Sequence, residues 1–379
     1  MEGGRANCRQ VEFFATAAKG TEGALRDELR EIGLRRVKAD RGGVHFEGPP
    51  EDGYRACLHS RVAMRVLRPL ATFPSQTEGE LYDGIRGVDW SEFLTQGRTL
   101  AVRATCADSS LTHTLYIAQK TKDAVVDQLR DAAGARPSVD IESPDVTICV
   151  HLVRDVATVY VDLAGEPLHR RGYRVVTGDA PLKETLAAAM VRLSGWDRVS
   201  PFVDPMCGAG TIAIEAALWA RNVAPGLSRE RFGFERWACH DEATARRVAE
   251  LRERARAKVL TEGPPVRGSD VDLAALAAAR ENARDAGVAV EWTRASVRAL
   301  APAGEPGLVV TNPPYGERLD APDALYRDMA DAFRRLEGWR VAILAGTPAI
   351  ERAMRRRADK ALAVFNGDIE CRLLVYDIG

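Results

Sequence analysis

The pattern of apolar and polar positions divides the chain near residue 168. Before this point, short strand-like runs alternate irregularly with helical segments, which is typical of an α+β region. Leu25, Leu29 and Ile32 recur at helical spacing, and Gly33 follows as a helix stop. The pattern predicts strands over residues 11–15, 99–105, 146–153 and 157–163, and helices over residues 22–32 and 124–132.

After residue 180 the pattern changes to strand–helix alternation, which predicts a mostly parallel sheet. Two strand-like runs flank Asn366-Gly367, a dipeptide that favours a hairpin turn. We therefore predict an α/β fold in this part, a seven-stranded Rossmann-like sheet that ends in an antiparallel hairpin. The predicted strands end at residue 204 or span 266–270, 288–293, 307–311, 339–344, 362–365 and 369–376; the helices span 211–220, 273–286 and 324–336.

Composition is that of an ordinary globular protein with two or three domains. The chain has 379 residues, of which 46% are hydrophobic and 28% charged. Its apolar runs fall short of the roughly 20 residues that span a bilayer, and its N-terminus lacks an apolar signal core. Seven scattered cysteines form no Cys-x-x-Cys pair, so we expect free thiols, no structural metal and a cytoplasmic location.

The net charge of −1 conceals local clusters of basic residues. A neutral total can hide a basic face that attracts phosphate, although such clusters can also be solvated helix surface. Within the cluster that spans residues 169–174, we predict Arg170, Arg171 and Arg174 as contacts to RNA phosphates. The other clusters span residues 35–41, 246–258 and 352–357.

Asn312-Pro313-Pro314-Tyr315 follows the apolar run 307–310, at the end of a predicted strand where open α/β sheets bind ligands. The Asn312 amide oxygen and the Pro313 carbonyl can each accept a hydrogen bond from an exocyclic amine. Pro314 stiffens the turn, and the Tyr315 ring can stack on a base, a contact worth roughly 1–3 kcal/mol. The alternative is a plain turn, since these dipeptides are common turn formers.

A second motif lies upstream, where Gly208-x-Gly210-x-x-Ala213 connects a predicted strand to a helix. The spacing also fits a dinucleotide-binding fingerprint. However, the acidic residue suited to a ribose, Asp270, lies about 60 residues on rather than about 20. A hydride-transfer partner is not apparent either, so a dehydrogenase is the weakest interpretation.

The same residues suit S-adenosylmethionine better. Gly208 and Gly210 can pass under its methionine part because they lack a Cβ, and Asp204 can attract its ammonium group. Asp270 can accept hydrogen bonds from the ribose hydroxyls. The neighbouring Asp272 is better explained as a helix N-cap.

These motifs carry a resemblance to a known family. The chain resembles the THUMP-domain class I RNA guanine-N2 methyltransferases, and within them the 23S rRNA enzymes that form the N-terminal half of a fused bacterial protein. The resemblance covers nearly the whole chain. The matching segments are residues 13–16, 122–127, 136–139, 168–174, 180–184, 204–211, 237, 240–242, 279–283 and 311–319.

The resemblance implies three domains: a ferredoxin-like region over residues 1–55, a THUMP RNA-binding domain over 56–167 and a Rossmann-like catalytic domain over 168–379. It also implies a monomer that uses S-adenosylmethionine and lacks the second methyltransferase of the fused enzyme. The acid that often faces the adenine amine is replaced by Ser296, whose hydroxyl can still accept that bond without charge assistance. The complete predicted cofactor set is Asp204, Met206, Cys207, Gly208, Gly210, Thr211, Asp270, Val271, Ser296 and Asn312.

Several functions remain open from the sequence. Methylation of guanine N2 in 23S rRNA is the first, and tRNA guanine-N2 methylation is its nearest alternative. A DNA adenine-N6 enzyme shares the Asn-Pro-Pro-Tyr motif but does not need a THUMP-like region. An RNA-binding module without activity is the alternative from another class, and the intact site residues argue against it. The segment 219–267 is a long insertion to which the sequence assigns no role.

Overall fold

The structure is a computed structural model that describes residues 10–134, 137–174, 182–301, 304–314 and 323–379. Its described part contains two β-sheets. The strands are β1 (Val11–Thr16), β2 (Arg35–Asp40), β3 (Gly43–Gly48), β4 (Arg65–Pro74), β5 (Thr99–Ala107), β6 (Ser138–Val139), β7 (Val146–Val153), β8 (Val156–Asp162), β9 (Phe202–Asp204), β10 (Val266–Asp270), β11 (Glu291–Arg294), β12 (Leu308–Thr311), β13 (Arg340–Ala345), β14 (Lys360–Asn366) and β15 (Ile369–Asp377). The α-helices are α1 (Glu22–Glu31), α2 (Pro50–His59), α3 (Glu78–Arg86), α4 (Thr114–Ala133), α5 (Glu184–Leu193), α6 (Thr211–Ala220), α7 (Glu242–Arg256), α8 (Leu273–Asp285), α9 (Asp323–Arg334) and α10 (Ala349–Met354).

The N-terminal half forms one continuous eight-stranded sheet in the order β2-β3-β1-β4-β8-β7-β5-β6. Its strand pairs are antiparallel except for β5, which runs parallel to β6 and β7. Strand β4 pairs with β1 on one side and with β8 on the other, so it joins strands from both predicted N-terminal domains in one sheet. The predicted domain boundary between residues 55 and 56 falls inside helix α2 and stays a prediction.

The C-terminal half forms a seven-stranded sheet in the order β11-β10-β9-β12-β13-β15-β14. The first five of these strands are parallel, and β15 pairs antiparallel with both β13 and β14. Val309 and Val310 pack into apolar clusters on opposite faces of the sheet, as expected of a parallel strand covered by helices on both sides. The predicted Rossmann-like sheet with a terminal hairpin is confirmed.

Two kinds of element differ from the prediction. Strand β11 begins at Glu291 rather than at residue 288, because Val288 instead closes helix α8 with a hydrogen bond to the Ala283 carbonyl (3.0 Å). Strands β2, β3, β4 and β6 were not predicted. Strand β2 is largely exposed and rich in charged residues and therefore shows no apolar alternation. Helices α2, α3, α5, α7 and α10 were likewise not predicted.

The insertion 219–267 connects the two halves of the molecule. Its side chains Phe232, Phe234 and Trp237 are buried in the apolar core of the N-terminal half. The Phe234 ring stacks on Tyr54 of helix α2 with ring centroids 4.1 Å apart, and Trp237 contacts Phe93 edge to face. The segment therefore fastens the catalytic half to the N-terminal half by burying aromatic surface.

Backbone hydrogen bonds reinforce this junction. The Ala238 and Cys239 N–H groups donate to the carbonyls of Phe93 and Glu92, both at 3.0 Å, and the Phe234 N–H donates to Leu163 (3.1 Å). Backbone bonds of this kind fix the position of a segment, because each donor has one carbonyl within reach. The two halves consequently share one packed and hydrogen-bonded interface.

Candidate active site

The loop between β9 and α6 places backbone atoms at the carboxyl edge of the parallel sheet. Asp204 ends strand β9, and one of its carboxylate oxygens accepts a hydrogen bond from the Met206 N–H (3.3 Å). Gly208 follows with a left-handed φ of +51°, and a Cβ built on it meets open space. The loop therefore leaves room for a ligand directly above Gly208.

At Gly210 the position that a Cβ would take faces protein atoms, and the predicted ligand contact of this residue stays a prediction. Its φ is +86°, and an added Cβ would lie 2.6 Å from the Trp292 ring and 3.1 Å from the Ala279 side chain. The missing side chain of Gly210 thus makes room for protein atoms, namely Trp292 and helix α8. The prediction that both glycines pass under the ligand is supported by open space at Gly208 alone.

Asp270 at the end of β10 fastens the glycine loop. Its two carboxylate oxygens accept hydrogen bonds from the Gly208 N–H (2.9 Å) and from the Asp272 N–H (3.0 Å). A carboxylate has about four acceptor positions, so acceptor capacity remains for a ligand hydroxyl. Asp272 caps helix α8 by accepting from the Ala274 N–H (2.8 Å), as predicted.

Asn312 follows strand β12, which lies beside β9 in the sheet, so its side chain comes to the same edge as Asp204. Its Oδ1 atom is buried and has no hydrogen-bond partner among the described residues. A buried acceptor without a donor is costly, which indicates a position prepared for a donor that arrives with a ligand. Tyr315, predicted to stack on the base, lies outside the described residues.

Tyr326 of helix α9 positions this turn. Its hydroxyl donates a hydrogen bond to the Pro314 carbonyl (2.8 Å), and only 5% of the residue is exposed. Since Pro313 and Pro314 cannot donate backbone hydrogen bonds, a side-chain donor is the available way to hold the turn against the helix.

Burial dominates the electrostatic environment of Asp204 at the carboxyl edge of the sheet. Only 1% of Asp204 is exposed, and burial raises the pKa of its carboxyl to about 7, with the charge of Asp270 adding to the shift. An arriving cation would restore the charged form of Asp204. The site is thus suited to a ligand that carries a positive group close to this carboxylate.

The structure contradicts the predicted role of Arg171. This residue is 3% exposed and donates hydrogen bonds to the carbonyls of Leu168 and Arg61, and its guanidinium pairs with the buried Glu215 at 3.4 Å. It therefore cannot reach an RNA phosphate in this arrangement, and it holds the linker between the halves.

Arg174 also points inward rather than toward solvent. It donates to the Leu182 carbonyl (2.7 Å) and to the Thr211 hydroxyl (2.8 Å), and it pairs with Glu184 at 3.3 Å. These contacts connect the linker to the first turn of helix α6. Of the three predicted phosphate contacts, Arg170 alone remains largely exposed, with an ion pair to Glu166 at 3.5 Å.

The remaining predicted cofactor residues fall into two groups. Met206, Cys207 and Thr211 are part of the loop and pack inward, with the Cys207 N–H bonded to the Ser269 carbonyl. Val271 and Ser296 are exposed at the same edge of the sheet. The Ser296 hydroxyl accepts from the Arg298 N–H (3.4 Å) at the start of a short 3-10 turn.

Three supporting residues were missed as functional positions. Asn282 donates a hydrogen bond to the Ala209 carbonyl (3.0 Å), Trp292 fills the space beside Gly210, and Tyr326 holds the proline turn. Asn282 gave a usable signal, because a buried polar residue in an Ala-rich helix needs a partner. Trp292 and Tyr326 gave no such signal in the sequence, since each lies in a different element from the residue it supports.

This combination of fold and site defines a class. The strand order, the glycine loop after β9, the acid after β10 and the Asn-Pro-Pro turn after β12 are those of a Rossmann-like methyltransferase domain. Comparison with known proteins gives the family. The family described as RMKL-like, methyltransferase domain matches residues 171–374, the THUMP domain matches residues 75–162, and the RlmL ferredoxin-like domain matches residues 12–67.

The chain belongs to this RMKL-like methyltransferase family, which confirms the resemblance seen in the sequence. The ribosomal RNA large subunit methyltransferase K/L of Methylococcus capsulatus is 44% identical over 97% of the chain and 51% of that protein. The protein of the same name from Syntrophotalea carbinolica is 43% identical over 97% of the chain and 54% of that protein. The chain thus spans about half the length of the curated relatives it matches.

A solved structure agrees over the full length. The crystal structure of SMU.472, a putative methyltransferase complexed with SAH, is 34% identical and has a TM-score of 0.87. The match covers 98% of this chain and 99% of that one. The N-terminal half and the catalytic half therefore have the same relative arrangement in both proteins.

None of the helices among the described residues has the length and apolar character that crossing a membrane requires. The described part of the chain also brings no three histidine, cysteine, aspartate or glutamate side chains into a group that could hold a metal ion.

Proposed function

We propose that the chain transfers the methyl group of S-adenosylmethionine to the exocyclic N2 amine of a guanine in 23S rRNA. The observation that carries the proposal is the buried Oδ1 of Asn312, an acceptor without a partner among the described residues, at the same sheet edge as Asp204 and Asp270. The printed names of the curated relatives support the choice of ribosomal RNA.

The residues of the edge fit S-adenosylmethionine. Gly208 leaves space for its methionine part, Asp204 would hold its ammonium group, and Asp270 would accept from its ribose. The exposed Val271 beside Asp270 would give an apolar contact to the adenosine. The crystal structure of the 34% identical relative in complex with SAH supports this assignment.

The bound cofactor supplies an electrophilic methyl group on a sulfonium. Asn312 Oδ1 and the Pro313 carbonyl would accept the two N–H hydrogens of the guanine amine and direct the nitrogen lone pair toward that methyl group. Transfer would form an N–C bond as the S–C bond breaks and leave S-adenosylhomocysteine, and the nitrogen would then lose a proton to water. Because this proton becomes acidic only after transfer, the chain needs no strong base, and catalysis is mainly positioning.

The target base has to leave its stack to reach the edge, which costs a few kcal/mol. The N-terminal half, with its ferredoxin-like and THUMP domains, is the proposed source of the RNA contacts that offset this cost. We further propose a cytoplasmic monomer, and a reducing compartment is supported by the free thiols of Cys57, Cys106, Cys149, Cys207 and Cys239.

The proposal is tested with the Asn312→Ala variant. Its methyl transfer to unmodified 23S rRNA should fall on the order of 10²–10³-fold, the usual effect of losing one oriented hydrogen-bond partner in a site. Its affinity for S-adenosylmethionine, measured by calorimetry, should be nearly unchanged. Asn312→Asp retains acceptor oxygens and should keep more activity than the alanine variant.

Product analysis separates the proposed substrate from its alternative. Labelled S-adenosylmethionine is incubated with separated, unmodified 23S rRNA and tRNA, and the nucleosides are identified. N2-methylguanosine in the rRNA pool supports the proposal. The same product in the tRNA pool alone would indicate that the substrate is tRNA instead of 23S rRNA. Full activity of Asn312→Ala would refute the role of the amide.

A further inference from the structure

A cavity of about 500 Å³ lies between the two halves of the molecule. One wall comes from the N-terminal half, at residues 17–19 and Met64. The opposite wall comes from the catalytic half, at the start of helix α5 and at the tip of the β14–β15 hairpin. The Phe365 N–H donates to the Lys19 carbonyl (3.1 Å) across this junction, so the two walls are fixed to each other.

The hairpin tip places this cavity at the carboxyl edge of the parallel sheet. Strand β13 ends at Ala345, which pairs with Arg372 of β15, and the hairpin continues past that point to its turn at Gly367. The hairpin tip therefore extends beyond the carboxyl ends of the parallel strands, on the side where Asp204, Asp270 and Asn312 lie.

Hydrogen bonds connect the cavity wall to the glycine loop. Lys183 lines the cavity, and its chain neighbour Leu182 accepts from the Arg174 guanidinium (2.7 Å). The same guanidinium donates to the Thr211 hydroxyl at the start of helix α6 (2.8 Å). The Arg174 side chain thus connects the cavity wall to the end of the loop between β9 and α6.

The polar groups of the cavity favour an anion. Lys19 and Lys183 are exposed, and neither forms an ion pair within the described part of the chain. The Lys19 Nζ lies 4.0 Å from the Phe365 ring centroid, and the ring positions the ammonium without neutralising it.

Thr185 supplies a second and independent observation. The residue is 2% exposed and lines the cavity, and its Oγ1 has no hydrogen-bond partner among the described residues. A buried hydroxyl of this kind can donate to a phosphate oxygen while the lysines balance the charge. Asp368 is the one acidic residue of the described lining, so the cations outnumber it.

We propose that this cavity binds a backbone phosphate of the RNA strand next to the target guanine, with Lys19, Lys183 and Thr185 as its ligands. The inference rests on the proposed function and adds to it the path of the substrate. Because the site combines both halves of the molecule, a strand that enters there is held by the N-terminal half while its neighbouring nucleotide reaches Asn312.

The test measures binding of a short, fluorescently labelled single-stranded RNA that contains guanine to the full chain over a range of salt concentrations. Each phosphate neutralised on a single strand contributes about 0.7 to the slope of log K against log salt. The double variant Lys19→Gln/Lys183→Gln should lower this slope by roughly 0.7 and raise KM for RNA, with unchanged calorimetric affinity for S-adenosylmethionine.

Two further variants make the result specific. Thr185→Val removes a neutral donor, so it should weaken RNA binding without changing the salt slope. Lys360→Gln is the matched control, because Lys360 is an exposed lysine at the opposite end of the same hairpin, and it should leave both quantities unchanged.

The outcomes separate the two proposals. If the parent chain methylates RNA but the double variant keeps the parental salt slope and KM, the inference about the cavity is wrong and the proposed function stands. An equal loss of slope in Lys360→Gln would also overturn it, since any surface lysine would then suffice. A parent chain that neither binds nor methylates RNA would overturn both proposals.

Discussion

Asp204 occupies a position that water reaches poorly, and we therefore expect its ionisation to be coupled to the binding of a cationic ligand. Burial raises the pKa of its carboxyl from the ordinary 3.8 to about 7. In the unliganded chain, folding favours the protonated form, so the contribution of this residue to stability falls as the pH rises from 3.8 to about 7. A cationic ligand reverses the preference by favouring the carboxylate.

We expect the affinity for S-adenosylmethionine to increase as the pH rises toward 7, by at most about tenfold per pH unit. The gain reflects deprotonation of Asp204 before it can pair with the ammonium group. In Asp204→Asn the affinity should be lower and should vary little with pH. Calorimetric titrations of both proteins across this range test the coupling, and parallel pH profiles would exclude Asp204 as its source.

Individual site residues were predictable from the sequence to different extents. Asp270 and Asn312 follow apolar runs, and the rule that parallel strands end at one edge is sufficient to bring them together. Arg171 was misplaced because a basic cluster gives no indication that Glu215, more than forty residues later, lies opposite it in the core. Long-range pairing of this kind has no local signature.

At the scale of elements, the loop between β9 and α6 depends on a glycine that faces protein. Gly210 begins helix α6 in the left-handed region and contacts the Trp292 ring. The left-handed conformation alone costs a non-glycine residue roughly 1–2 kcal/mol. A side chain would add an overlap that Trp292 can relieve only by moving.

Gly210→Ala should therefore lower the melting temperature more than Gly287→Ala does. Gly287 has a φ of +67° with open space around it, so its alanine variant incurs the cost of the left-handed conformation without a steric overlap. Gly210→Ala should also weaken S-adenosylmethionine binding, because the loop shifts. Scanning calorimetry and ligand titration measure the two effects, and equal melting temperatures in the two variants would contradict the packing argument.

The elements themselves were predictable where their periodicity was strong. Strands β7 and β10 and helix α6 have the predicted bounds, since each contrasts clearly with its flanking turns. Strand β2 escaped prediction because an exposed, charged edge strand has no apolar alternation. The sheet order of the N-terminal half was not predictable, because it depends on β4 pairing with strands from both sides of the sequence.

At the scale of the whole molecule, the insertion 219–267 makes the two halves one unit. The sequence showed its length but not its role, because its aromatic residues bury against a domain that lies far away in the chain. Phe234 is 1% exposed and stacks with both Tyr54 and Phe232. Its ring therefore carries a substantial part of the contact between the halves.

Phe234→Ala should cost about 3–5 kcal/mol, the usual effect of removing a buried phenyl ring. Because the loss falls on the junction, a single thermal transition should separate into two as the halves unfold independently. Phe333→Ala is the matched control, a fully buried phenylalanine within the catalytic core. Scanning calorimetry that showed one transition in Phe234→Ala, or two in the control, would contradict this account of the insertion.

The packed junction has a consequence for how the proposed substrate is chosen. Since the packed junction fixes the distance between the N-terminal half and the Asn312 turn, this distance would determine which nucleotide of a bound RNA reaches the turn. Under the proposed function, a guanine would be selected mainly by its distance along the RNA from the element that the N-terminal half binds, and less by its neighbouring bases. A change in the length of that RNA spacer would then move the methylated position by the same number of nucleotides.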